Sequence, residues 1–284
     1  TYGDLRAVDD LDLTVNKGEC FALLGPNGAG KTTTMEILEG LQTPASGTVT
    51  ILGHDMLNER DKVLPRIGVV LQETSLYKRF TVRETIQLFA SFYRDSVSVE
   101  QIMDRLQISD KADTKLMNLS GGQKQRVYIG CSLVNNPELL FVDEPTAGLD
   151  PQARRLIWDI LSEIKKDGRS LLLTTHYMDE AEQLADRIAI IDHGKIIAQN
   201  SPEGLIQEFA GERIVRMRLR EGPDIATKVK KLQSEPQFSD SEWKDNVLSL
   251  AAPSALQEWL GIMQAAVDAG LEIDNLEMRR ATME

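Results

Sequence analysis

Cysteine is nearly absent from this sequence. Two residues, Cys20 and Cys131, among 284 cannot build a disulfide scaffold, and so few suit a reducing compartment. Long apolar runs are missing too. Stretches such as 139–142 and 188–191 fall far short of the roughly 18 residues that span a bilayer, so the chain does not cross a membrane, though it could sit on a partner that does. The first residues lack the basic stretch followed by an apolar one that marks a secretory leader. Positive charge is in deficit: 32 Lys and Arg stand against 44 Asp and Glu, a net charge of −12. That balance argues against sequence-independent binding to nucleic acid. Any anionic ligand must be held by local groups rather than by the overall field. No internal repeat or low-complexity stretch is visible. With 42% hydrophobic and 27% charged residues, the composition fits a globular chain with a sizeable core.

Short apolar runs alternate with longer amphipathic stretches through the first two-thirds of the chain. Segments 19–24, 47–52, 67–71, Leu139–Asp143, 170–174 and Arg187–Asp192 read as strands, being short, rich in branched residues and bounded by Gly, Pro or Asp. Several are apolar without alternation, which suits a sheet covered on both faces. Between them, 32–41, 82–93, 100–106, Gly121–Leu133, Pro151–Lys166 and Met178–Leu184 read as helices. The alternation predicts an α/β core. The pattern changes near residues 210–211. Segment 213–221 sets Arg216, Arg218 and Arg220 against Val215, Met217 and Leu219, a strand with one wet face. A helix over 224–232, a strand over 246–250, an amphipathic helix over 255–269 and a last strand over 271–278 complete a small separate α+β unit.

Gly25, Pro26, Asn27, Gly28, Ala29, Gly30, Lys31 and Thr32 fit G-x-x-x-x-G-K-[ST] at every fixed position. The context fits as well: an apolar strand precedes the motif and a helix follows it. Glycines let backbone N–H groups turn inward and approach phosphate oxygens, and the helix N-terminus adds partial positive charge. Lys31 is expected to reach the outer phosphates, and Thr32 to place its hydroxyl on Mg²⁺. The motif implies a nucleoside triphosphate without saying what is done with it.

Strand Leu139–Asp143 ends in two acids, Asp143 and Glu144. Read alone, they could simply mark a strand running into solvent. Beside a phosphate loop, Asp143 is expected to hold Mg²⁺ directly or through water, and Glu144 to polarise the water that attacks the γ-phosphate. Ser120, Gly121, Gly122 and Gln123 precede another helical run. Ser120 is a plausible N-cap, and the two glycines expose N–H groups that make a second anion site. An ordinary capped helix is the alternative. Two helix-start phosphate sites on one chain suggest that one cradles ATP in cis while the other closes on an ATP held by a second copy.

These motifs, in this order, resemble the ATP-binding-cassette (ABC) ATPases, the nucleotide-binding subunits of ABC transporters, across about residues 2–205. Leu119 to Gln123 is similar to the family signature letter for letter. The resemblance implies further roles. Gln72 is similar to the Q-loop glutamine that contacts Mg²⁺ and senses the transmembrane partner, and it joins Glu144 and His176 as a catalytic candidate. Residues 147–150, ending in Asp150, resemble the D-loop that communicates across the dimer. His176 resembles the switch histidine that contacts the γ-phosphate. Tyr2, 29 positions before Lys31, resembles the aromatic that stacks on adenine, and its flat π-face gives that a physical rationale. Thr33, next to Thr32, belongs with the nucleotide-binding set.

The resemblance also implies an architecture: a P-loop NTPase core over residues 1–210, with an inserted helical subdomain at about 73–135, and a small C-terminal α+β domain over 211–284. In the family, the groove between helical subdomain and Q-loop receives a coupling helix from a separate membrane permease. Phe80, Val82, Ile86, Phe89, Phe92 and Tyr93 could supply apolar surface there, although an apolar stripe at helical spacing can equally be core. The run Glu39, Gly40, Leu41, the run 175–182 and the small C-terminal unit resemble type-2 exporters of the drug-resistance group. Such a chain is expected to sit at the cytoplasmic face of the membrane and to dimerise around two MgATP, as a homodimer or a cassette heterodimer, with no nucleic acid involved. A soluble ABC machine of translation or DNA repair, or an ATP-binding regulatory factor, is the alternative. The segment 278–284 resembles the start of a longer family ending, and the strand that usually precedes the stacking aromatic is not in the sequence.

Overall fold

The computed structural model describes residues 6–72, 76–209, 214–220, 224–233, 235, 238, 241–251 and 256–279. The chain forms two compact units, residues 1–202 and 203–284. In chain order the first contains β1 (Cys20–Leu24), α1 (Lys31–Leu38), β2 (Thr50–Ile51), β3 (His54–Asp55), α2 (Arg60–Val63), β4 (Ile67–Val70), α3 (Val82–Ala90), α4 (Val99–Arg105), α5 (Gly121–Leu133), β5 (Leu139–Asp143), α6 (Pro151–Lys166), β6 (Ser170–Thr175), α7 (Met178–Leu184), β7 (Arg187–Asp192) and β8 (Lys195–Asn200).

Six strands make one sheet in the order β4-β5-β6-β1-β7-β8. The first five are parallel and β8 is antiparallel to β7. Strands β1, β5 and β6 are buried along their whole length, which explains why their sequences are apolar without alternation. Phe21, Leu23, Phe141, Leu172 and Ile191 join Met35 of α1 in one core cluster. Helix α5 packs against β4, and α7 against β1 and β6. Register then fixes the working edge. Leu24 lies opposite Thr175 and Ile190, Asp143 opposite Thr174, and Val70 opposite Val142. The carboxyl ends of β4, β5, β6 and β1 therefore finish level, where ligands bind in open α/β sheets.

Capping residues set the helix starts. Thr81 and Glu84 form a capping box at α3, as do Ser120 and Gln123 at α5. Asp150 caps α6 with Pro151 at its first position. Helix α1 ends three residues earlier than the sequence pattern predicts. Gly40, at φ 73°, closes a Schellman turn in which Leu41 N–H bonds the Glu36 carbonyl and Gly40 N–H that of Ile37. The strand expected over 47–52 shrinks to β2, because Leu52 and Gly53 both take left-handed φ and turn the chain back into β3. Strand β8 was missed for a similar reason: His193 and Gly194, both at positive φ, make a two-residue turn that pairs it with β7. Val82 and Ile86, candidates for an exposed docking groove, are instead fully buried in the core; Phe92 is 70% exposed. Both cysteines are buried and free, and burial pushes each thiol up to about 12, so neither is a ready nucleophile.

The second unit opens with α8 (Pro202–Phe209) and runs β9 (Ile214–Leu219), α9 (Ile225–Gln233), β10 (Glu242–Lys244), β11 (Val247–Ala251), α10 (Leu256–Asp268) and β12 (Ile273–Arg279). Its strands are antiparallel in the order β10-β11-β9-β12, the βαββαβ arrangement of ferredoxin-like folds. Alternation along β9 has the predicted sense: Met217 and Leu219 are buried, Arg216 and Arg218 exposed. Met217, Leu219, Val229, Leu232, Phe238 and Leu248 begin its own core. Strand β10 escaped the sequence reading because it is three residues long and joins β11 through Asp245 and Asn246, a turn with two positive φ angles. Among the described residues of both units, no helix is long and apolar enough to cross a membrane.

Glu39, at the end of α1, is 3% exposed, and neither carboxylate oxygen has a hydrogen-bond partner. Burial, with Asp143 and Glu36 adding repulsion, pushes its carboxyl up to about 7. Below about pH 4.5 both folded and unfolded chains carry the proton, and the site exacts no penalty. As pH rises toward 7 the unfolded chain ionises first, and stability falls by about 3 kcal/mol before levelling off. Glu39→Gln should therefore be more stable than the wild type at pH 8 by an amount of that order and match it near pH 4.5. Urea unfolding at the two pH values measures this; an equal difference at both would remove ionisation as the cause.

Candidate functional site

Strand β1 delivers the chain into the loop 25–30, and α1 starts at Lys31. Gly25 sits against β7: a Cβ there would come within 2.3 Å of the Ile191 carbonyl oxygen. Gly30 stands at φ 104°, and a Cβ would come within 2.2 Å of the Ala7 carbonyl oxygen. Only glycine fits both demands. The loop closes through Ala29 N–H to Pro26 O, while Gly194 N–H bonds the Ala29 carbonyl from the β7–β8 turn. Pro26, Asn27 and Gly28 are exposed at its tip. Lys31 is 4% exposed. Its ammonium donates to the Gly25 carbonyl at 2.8 Å and the Pro26 carbonyl at 3.1 Å, and lies 3.4 Å from Glu144 Oε1. Thr32 is exposed, and Thr33 is half-buried in the same turn.

The acids come from β5. Asp143 is buried and accepts a hydrogen bond from the Thr174 hydroxyl. Burial raises its carboxyl above the usual aspartate range and Glu144 adds to this, while Thr174, Lys31 and Thr32 pull it back. Glu144 follows at φ 45°, a left-handed conformation that costs a non-glycine residue about 1–3 kcal/mol. Two acceptors hold it there: its N–H meets both the carbonyl and the hydroxyl of Thr174 at 3.1 Å. The bend brings Glu144 Oε2 within 3.1 Å of His176 Nδ1, and Gln72 Nε2 donates to the same oxygen at 3.3 Å. Glu144 itself is 8% exposed.

Lys31, Thr32, Gln72, Asp143, Glu144 and His176 thus come together from four strand ends, as the motif order predicts. Ser120 and Gln123 bond each other at the start of α5, and that turn packs on α6 of the same chain, where a Cβ on Gly122 would come within 2.7 Å of Ala153 Cβ. Gly121 lies beside Leu149. Asp150 Oδ1 accepts the N–H groups of Gln152 and Ala153, a local capping role that Asp before Pro already signals. Tyr2 lies outside the described residues. Sequence reasoning missed Thr174, which braces both acids; two adjacent threonines ending a buried strand beside the acidic strand were the available signal.

A cradle of backbone N–H groups, a buried lysine and two acids on the neighbouring strand end define a nucleoside triphosphatase of the P-loop class. The family model described as "ABC transporter" matches residues 8–147. The chain is 42% identical to "Nod factor export ATP-binding protein I" of Burkholderia lata over 231 residues, covering 80% of this chain and 75% of that one. It is 35% identical to "Daunorubicin resistance ATP-binding protein DrrA3" of Streptomyces coeruleorubidus over 288 residues, covering 100% and 90%. Among solved structures, the ATP-binding cassette MJ0796, dimeric and bound to ADP and Pi, matches with TM-score 0.64 at 28% identity over 69% of this chain and 91% of that one. The chain belongs to the ABC transporter family and is one of its ATPases.

Gly30→Ala tests the cradle. The residue would carry both a forbidden φ and a backbone clash, so a loss of about 1–3 kcal/mol in unfolding free energy is expected, together with weaker ATP binding. Chemical denaturation and nucleotide titration measure the two; an unperturbed variant would contradict the close approach to Ala7.

Proposed function

We propose that this ATPase drives export through a separate transmembrane permease, working as a dimer that closes around two ATP. The observation that carries the reading is Glu144, held by Thr174 and shared among Lys31, Gln72 and His176 at distances of 3.1–3.4 Å. Within this reading Gly25 to Thr33 wrap the triphosphate, and Lys31 exchanges Glu144 for the outer phosphates. Glu144 then takes the proton of the attacking water. His176, hydrogen-bonded to Glu144, contacts the γ-phosphate, and Gln72 reports nucleotide state outward. Ser120, Gly121 and Gly122 of a second copy close the other side, with Asp150 at the junction and Tyr2 against adenine.

The Thr32 hydroxyl, the Gln72 amide and the Asp143 carboxylate are hard oxygen donors of the kind that suits Mg²⁺. Such an ion, when bound, would neutralise charge that develops on the phosphoryl oxygens. Two solved structures of one relative, MJ0796, are dimeric, which supports the dimer. The names of the relatives in Burkholderia and Streptomyces, one of export and one of resistance, support an exporter at the cytoplasmic face of a membrane. We assign the ATPase to the first unit and treat the C-terminal unit as a separate domain.

Glu144→Gln should bind ATP normally, slow hydrolysis on the order of 100-fold or more, and accumulate an ATP-bound dimer on gel filtration. Hydrolysis at the normal rate would remove Glu144 from the chemistry. Lys31→Ala and Ser120→Arg should each be inactive, yet a mixture of the two should regain ATPase activity, because one shared site in the mixed dimer is intact. Failure to regain it would argue for sites contained in one chain. Purifying the native chain from membranes should bring a hydrophobic permease with it.

A further inference from the structure

Glu180 has 0% exposure and lies in α7, outside every motif assigned a role above. Its Oε1 accepts from the Thr146 hydroxyl at 2.7 Å and from the Trp158 indole N–H at 2.9 Å. Two donors from two segments, the loop after Glu144 and α6, therefore converge on one carboxylate oxygen, where water cannot substitute.

The identity of those segments gives the convergence its meaning. Thr146 follows Glu144 by two residues, and the loop between is drawn tight by Ala147 N–H to the Glu144 carbonyl and Leu149 N–H to the Thr146 carbonyl. Thr175 immediately precedes His176. Its hydroxyl accepts the Tyr177 N–H at 3.0 Å, which closes the turn that carries the histidine. Trp158 belongs to α6, whose first turn packs on the Ser120 to Gly122 turn. We infer that Glu180 is a positioning residue for hydrolysis: it ties the loop behind Glu144 to α7, which begins two residues after His176, and so sets the 3.1 Å contact between those two side chains. This rests on Glu144 and His176 being the hydrolytic pair proposed above.

A carboxylate suits the task because it offers only acceptors. Glutamine keeps an oxygen for both bonds but removes the charge and places an amide N–H₂ where the second oxygen stood, and alanine leaves both donors buried and unpaired. Burial raises the Glu180 carboxyl, and the nearby Thr175 hydroxyl and the Thr146 and Trp158 donors pull it back toward the ionised form, with Arg154 helping.

The test is steady-state and single-turnover ATP hydrolysis by the full chain, at temperatures where each variant is folded. Glu180→Ala should lower kcat on the order of 10- to 100-fold, with Glu180→Gln between it and the wild type. KM for ATP should stay within about twofold in both, since Lys31 and its loop are untouched. Introduced into Glu144→Gln, Glu180→Ala should cost almost nothing further, because the residue it positions is gone. Should Glu180→Ala fail to fold, Thr146→Val cuts the tie to the loop alone and should lower kcat in the same way. Wild-type kcat in folded variants, a loss confined to KM, or full additivity with Glu144→Gln would overturn the inference. Normal hydrolysis by Glu144→Gln itself would instead sink the reading beneath it.

Discussion

A lysine ammonium and a glutamate carboxylate, both almost wholly excluded from water, face each other across 3.4 Å between two parallel strands. Neither charge is tolerable there alone. Removing one member of such a pair leaves the other uncompensated at a cost of about 3–5 kcal/mol. The phosphate loop after β1 and the acid pair after β5 therefore depend on one another, although β6 lies between their strands. The remaining groups of the site answer to this pair. Gln72 and His176 share the second oxygen of Glu144, and Asp143 keeps its orientation through Thr174.

Strand register makes the pairing possible. With Leu24, Asp143, Thr174 and Thr175 finishing level, short side chains bridge neighbouring strands without help from long loops. The left-handed bend at Glu144 is the local cost of turning its side chain across the edge of the sheet. Two hydrogen bonds to Thr174 offset that cost, which ties the strain to the neighbouring strand rather than to the loop itself. Strain placed at a reacting group and braced from outside is a common property of functional sites.

Much of this was readable in the sequence, and the failures have physical causes. Strands Leu139–Asp143 and Arg187–Asp192 and helices Gly121–Leu133, Pro151–Lys166 and Met178–Leu184 agree with the sequence reading to the residue. Their apolar runs are unbroken and their ends carry caps or acids. The short elements β2, β3, β8 and β10 were lost or misjudged because backbone conformation at Leu52, His193 and Asp245, none of them glycine, decides where they turn. The fixed motif positions announced Lys31, Asp143, Glu144 and His176. Of the groups that brace them, Thr174 left only the faint signal of two threonines ending a buried strand, and Thr146 and Glu180 are legible only once separate segments are seen to meet. At Val82 and Ile86 the core reading of the apolar stripe holds over the docking one, because the α3 face bearing them turns inward.

The resting position of Lys31 bears on the speed of nucleotide capture. A free lysine side chain holds about 2 kcal/mol of rotamer entropy. Here that freedom is already surrendered when the protein folds, since the ammonium is anchored to the carbonyls of Gly25 and Pro26. An arriving triphosphate meets a cation already aimed at the mouth of its loop and needs only to trade one set of oxygens for another. Recognition becomes an exchange of partners rather than the disciplining of a loose chain.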